Sequence, residues 1–280
     1  MSNAVLILFR MPSLCVEFIF IYDMGVKKMV DTKLCDWLMN KADAPVHYRV
    51  ARELLKDEKT AKEIEGELLE NPVVIQWLNN LKPHTPPQHW SMEHGSFDFC
   101  LENALLKIVQ LGLHGGLPQV TDALEYYIGK MKNIGSMDFF NDKSKNTGVF
   151  YRKREMFCAI LTANFLSLAG IKDEITLQYM LGSLDEMYNF TQKKIYDIYL
   201  SEEARRRLTK VPKVWKNSDY FIKPDLVREH GFSYPLLYDI MGLHTLYDLK
   251  NPEVDRKINE VISYVSKDEF HSKIADGYGL

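Results

Sequence analysis

The stretch CLENALLKIVQLGLHGGLPQVTDALEYY, residues 100–127, decides how the rest of the chain is read. Its first run belongs to a helix expected over 97–113 and is apolar almost all round, which predicts burial on most faces. It turns at LGLHGG and restarts at Pro118, a residue favoured in the first helical turn. The second run carries charge on one side, which predicts a helix with one face in water.

Working outward, the same unit recurs. RKREMFCAILTANFLSLAG (152–170) is nearly apolar after its first turn, stops at Gly170 and leads through LAGIKDEITL into an amphipathic run over 173–188. SYPLLYDIMGLHTLYDL (233–249) predicts a third apolar helix over 234–249, followed by YDLKNPEVDR and an amphipathic run over 252–265. An earlier copy of the turn, ELLKDEKTAK, sits at 53–62 after the helical run APVHYRVARELLKD (44–57). Asn71 with Pro72 and Asn251 with Pro252 read as helix caps followed by the preferred first residue. Leu54, Leu111 and Leu168 are 57 residues apart, and Tyr247 follows after 79. This is a degenerate helical-hairpin repeat with about twenty residues inserted before its last copy.

The insertion is 199–232, helical and basic at first, then broken by Pro212 and Pro224 and carrying Trp215, Tyr220 and Phe221. A loop of that length with that aromatic content is expected to pack rather than wander. Strand signals are scarce, so the fold class expected is all-α. Apolar inner and amphipathic outer helices can close into a ring, an α/α toroid of repeated helical hairpins, or stack into an open solenoid of the HEAT type. The ring is favoured, because an open groove would place more charge on the inner helices. Five to six hairpins in one domain over 29–280 are expected.

Composition narrows the function classes. The 280 residues carry a formal charge of −3 at pH 7, so no global field favours nucleic acid. Hydrophobic residues are 46% and charged residues 26%, ordinary for a globular chain. Cys15, Cys35, Cys100 and Cys158 are dispersed, with no CxxC, and read as reduced thiols of a cytoplasmic protein. Ser2-Asn3-Ala4 reads as a cloning remnant, and 1–28 as an N-terminal leader or tag-derived extension. Within it, VLILFRMPSLCVEFIFIY (5–22) fits a helix or strand packed on the domain, a translated leader before Met29, or a membrane anchor. Arg10, Pro12 and Glu17 interrupt it, so no membrane span is expected.

Four segments, VVIQWLNNLKPHTPPQHW (73–90), CLENALLKIVQLGLHGGLPQVTDALEYY (100–127), FCAILTANFLSLAGIKDE (157–174) and YPLLYDIMGLHTLYDLKNPEVDRKINEVISYV (234–265), together resemble the α/α-toroid superfamily. That group comprises terpenoid cyclases, squalene-cyclase-like proteins and protein prenyltransferase β-subunits. The resemblance covers about 44–268 and includes an echo of the QxxxGxW signature at Trp90. It implies an apolar or isoprenoid-like ligand in a central cavity lined by aromatic side chains. Neither DxDD nor DDxxD occurs, so neither acid motif of the cyclases is available. A metal-dependent transferase or lyase activity would have to use other residues. The alternative is a HEAT-like scaffold that binds a protein partner without catalysis.

The resemblance also directs attention to Asp98 and Cys100. Protein prenyltransferases hold zinc with an Asp, a Cys two residues on and a distant His, and YDIMGLHT (238–245), with His244, is similar to their His-bearing helix. Thiolate, imidazole and carboxylate suit zinc with one open position. Two residues apart on a helix means a rotation of about 200°, so both side chains reach one ion only where the helix begins there. The opposing reading is a carboxylate at a helix start and a small buried thiol. Asp239 lies among apolar residues with Gly242 nearby, which lets something approach closely. It reads as a general acid or a metal ligand in the cavity, or as a structural carboxylate paired with Arg152, Arg154 or a helix end. His244 reads as a core histidine or a catalytic one. Trp90, Tyr234 and Tyr238 are the candidate ring contacts to a ligand, and Arg152 and Arg154 the candidate anion contacts. His84, His89 and His94 stand in a proline-stiffened loop with no standard metal spacing. Between Lys193 and Glu229 ten basic residues face six acidic ones, either a diphosphate-binding rim or a solvated surface.

Overall fold

The computed structural model describes residues 6–11, 16–21, 32–82, 97–134, 149–208, 219–223, 226–228, 231–232, 235 and 237–274. Most of these residues are helical, as the punctuation of the sequence predicts. The chain forms two compact units, Met1–Gly66 and Glu67–Leu280. The expected boundary at 28/29 lies outside the described residues.

In the first unit, β1 (Leu6–Met11) and β2 (Val16–Ile21) form an antiparallel hairpin, with Leu6 opposite Ile21 and Met11 opposite Val16. Within 5–22, residues 6–11 and 16–21 are extended. Helix α1 (Thr32–Lys41) packs on α2 (Ala44–Arg49) and on the wide helical turn Val50–Leu55 that continues it. Pro45 stands in the first turn of α2, as its fixed φ favours. The wide turn is of π type and ends at Lys56, whose backbone is left-handed. Helix α3 (Glu58–Glu70) follows and runs across the division between the units.

The second unit contains α4 (Pro72–Leu81), α5 (Leu101–Gln110), α6 (Pro118–Ile134), α7 (Val149–Leu168) and α8 (Glu174–Thr191). After them come α9 (Glu202–Arg206), α10 (Leu237–Ile240), a 3₁₀ helix (Leu243–Leu249), α11 (Pro252–Val265) and α12 (Asp268–Lys273). Helix α4 packs on α5 and α6, both of which pack on α7. Helix α7 packs on α8, on α10 and on the 3₁₀ helix, and α11 packs on α8 and the 3₁₀ helix.

The two expected kinds of helix are present. In α7 every residue from Leu161 to Ser167 is buried, so no side of that stretch meets solvent. In α11 the buried residues are Val254, Ile258, Val261 and Val265, a four-three-four spacing that defines one face, joined by Tyr264. In α6 Val120, Ala123, Leu124, Tyr127 and Met131 are buried while Asp122, Glu125 and Lys130 are exposed. Each fully buried Leu or Phe side chain stabilises such a layer by about 1.5–3 kcal/mol.

The turns carry the repeat most clearly. Left-handed backbone falls at Lys56, Gly112, Gly170 and Lys250, one in each turn of the repeat, and among the described residues also at Lys194. At Gly170 the amide donates to Ser167 O at 2.9 Å and the Ile171 amide to Leu166 O at 2.9 Å. At Gly112 the same pair of bonds runs to Val109 O and, from Leu113, to Ile108 O. Both satisfy carbonyls that a helix end would leave orphaned. A carboxylate or amide then caps the next helix in three of the four turns. Asp57 accepts from Thr60 N, Asp173 from Thr176 N, and Asn251 from Glu253 N and Val254 N. Asn71 caps α4 in the way Asn251 caps α11, from Val73 N and Val74 N.

Two expectations are corrected. The helix over 97–113 is shorter, beginning after Cys100 and ending at Gln110. The helix over 234–249 is not continuous: α10 ends at Ile240, Met241 and Gly242 form a turn, and the remainder is 3₁₀. The insertion is closed at its neck, where Tyr199 bridges Ile222 and the Leu200 amide donates to Phe221 O at 2.7 Å. A short hairpin of β3 (Val227–Arg228) and β4 (Gly231–Phe232) lies farther along it. Ile198, Ile222 and Leu226 are buried.

Candidate functional site

The break at Gly242 is produced by a polar seam between α7 and the 3₁₀ helix. Asn164 and Ser167 are three residues apart and so lie on one face of α7. Gly242, Thr245 and Asp248 are spaced by three, and in a 3₁₀ helix residues at that interval eclipse one another in a row. The two rows meet in register. The Gly242 amide donates to Asn164 Oδ1 at 3.0 Å, and Asn164 Nδ2 donates to its own helix at Ile160 O, 2.9 Å away. Thr245 Oγ1 donates to Gly242 O at 2.8 Å, so the hydroxyl contact with Ser167 is made with Ser167 as donor. Lys172, in the turn after α7, donates from Nζ to Thr245 O at 2.9 Å and pairs with Asp248.

Gly242 is required by this approach. A Cβ there would lie 2.3 Å from Asn164 Oδ1 and 2.9 Å from Met180 Cε. The close approach expected at Gly242 is therefore filled by the Asn164 amide. A second close approach links the two preceding turns: the Gly115 amide donates to Ala169 O at 2.6 Å, and a Cβ at Gly115 would lie 2.4 Å from Ile171 Cγ1. Successive hairpin turns, 112–117, 169–173 and 248–251, are thus fastened one to the next.

The anticipated site residues are placed around this frame as follows. Asp239, in α10, is part-buried, and Ser183 Oγ of α8 donates to its Oδ1 at 3.4 Å. Tyr238 beside it is part-exposed. His244 sits in the first turn of the 3₁₀ helix with Nδ1 3.2 Å from Met241 O, a contact that places the proton on that nitrogen. Burial holds its imidazole below the ordinary histidine value, opposed by the Met241 carbonyl; Lys172 pushes the same way as burial and Asp248 against it. Asp239 and His244 are thus brought to one region, on consecutive short helical elements.

Asp98 and Cys100 are placed differently. Cys100 is the extended residue before α5, 1% exposed, with its amide on Phe97 O. Asp98 is exposed in the turn that precedes it. Both residues precede the helix, and one side chain faces the core while the other faces water, so as placed they do not fit a common ion. Among the described residues no three His, Cys, Asp or Glu side chains gather as a metal-holding group. Cys35, Cys100 and Cys158 are buried and not disulfide-bonded. Trp90, Tyr234 and the loop histidines lie outside the described residues. Arg152 and Arg154 belong to α7, and their side chains lie outside the described residues as well.

Sequence reasoning passed over several polar groups of the inner layer. Ser167, Lys172, Ser183 and Thr245 all take part in the seam or contact Asp239. Glu102, in the first turn of α5, is 7% exposed, a carboxylate where the helix dipole favours one. For Ser167 the signal was present in LTANFLSLAG (161–170), where Asn164 and Ser167 stand three residues apart in a mostly apolar run.

Among the described residues no helix is long and apolar enough to cross a membrane. No family model, curated protein or solved structure matches the chain.

Proposed function

We propose that the chain is an α/α-toroid protein of the terpenoid-cyclase and prenyltransferase kind, and that it binds an apolar, isoprenoid-like molecule at its centre. The observation that carries this reading is the fastening of successive hairpin turns side by side, Gly115 to Ala169 and Lys172 to Asp248. Hairpins of a ring are ordered in that way, as are those of an open solenoid, and the resemblance over 44–268 is what favours the ring. In this reading Tyr238 offers a ring face to the ligand and Asp239 takes its polar end, with His244 behind them. Zinc at Asp98, Cys100 and His244 would require the turn at 97–100 to re-form around the ion, and no step is assigned to it.

The test is titration of the purified protein with farnesol and with farnesyl diphosphate, read by tryptophan fluorescence and by native mass spectrometry. Saturable binding is expected, with farnesol binding weakened about tenfold by Tyr238→Ala or Asp239→Asn, the effect of losing one contact of about 1.4 kcal/mol. Absence of saturation with either compound, in protein whose helical circular dichroism is intact, overturns the proposal. Elemental analysis on the same samples tests the zinc: about one ion per chain, lost in Cys100→Ala, assigns a zinc site that includes Cys100.

The second reading is a HEAT-like scaffold for a protein partner. It is favoured by the complete burial of Leu161–Ser167, which leaves that stretch of inner helix no face toward a cavity, and by the exposed Val73, Ile75 and Tyr126 of α4 and α6. Failure of both apolar probes moves the assignment to this class.

A further inference from the structure

We draw no further inference here: the strongest candidate, the exposed apolar side chains Leu34 and Trp37 of α1 and Leu54 and Leu55 of the wide turn after α2, carries nothing because nothing in the structure shows what covers them.

Discussion

Gly242 is the position at which one methyl group decides local structure. Its amide is bonded to Asn164, and the space where a side chain would begin is already filled by that same amide group. Gly242→Ala should therefore destabilise by about 1–3 kcal/mol, the range for overpacking a close-packed interior. Chemical denaturation reads this directly, and Asn164→Ala in the same background should recover part of the loss by making room. Unchanged stability of the single variant would mean that the two rows are not in contact. His244 gives a second outcome at this scale. Its folded-state pKa is lowered from the ordinary 6.5, chiefly by burial. Above pH 6.5 both folded and unfolded forms are neutral and its contribution is fully present. Below that, the unfolded chain takes up the proton first, so stability falls as pH drops from about 6.5 toward the lowered value. Wild type should lose more stability than His244→Gln between pH 7 and pH 5, measured by urea midpoints at each pH. Equal slopes would place His244 in water.

At the scale of elements, the turns make opposite demands on similar positions. Gly170 and Lys250 both have left-handed backbone, with φ of 84° and 51°. Nothing lies within 4 Å of a Cβ built at Gly170, so Gly170→Ala isolates the backbone term and should cost about 1–2 kcal/mol. Lys250→Gly should stabilise, by up to about 1 kcal/mol, because it removes the same strain where a lysine now bears it. Thermal denaturation of both variants checks the pair, and a shift of the same sign in both would refute the shared conformation. These turns were legible in the sequence because their chemistry is local: a glycine or a strained residue stops one helix, and Asp or Asn starts the next. The break between α10 and the 3₁₀ helix was not legible. SYPLLYDIMGLHTLYDL has the pattern of one apolar helix, and only the partner row on α7 selects three residues per turn.

For the whole molecule, burial predicts an order of opening. Hydrogen exchange at Leu161–Ser167 should proceed only through global unfolding, since these residues are buried without a break. Glu202–Arg206, a single turn with no buried residue, should exchange with little protection. Protection of the two segments to the same degree would contradict the layered arrangement. Of the candidate site, the sequence marked Asp239, His244 and Tyr238 as residues of one apolar run, and they stand half-buried on α10 and the 3₁₀ helix. Asp98 and Cys100 were marked by their spacing and by the resemblance, and neither determines which way a side chain faces before a helix begins.

The sequence by itself determined the helical class, the caps at Asn71 and Asn251, and the recurrence of a turn at intervals near 57 residues. Those features depend on residues within a few positions of one another, where backbone preference and hydrogen bonding are settled locally. Tertiary structure alone decided the pairing of Asn164 with Gly242 and of Ser167 with Thr245, the shortening of α5, and the opposite exposures of Asp98 and Cys100. The two pairings depend on groups 78 residues apart in the chain meeting across a buried interface. There an unmet amide or hydroxyl costs more than the local preference for a continuous helix can return.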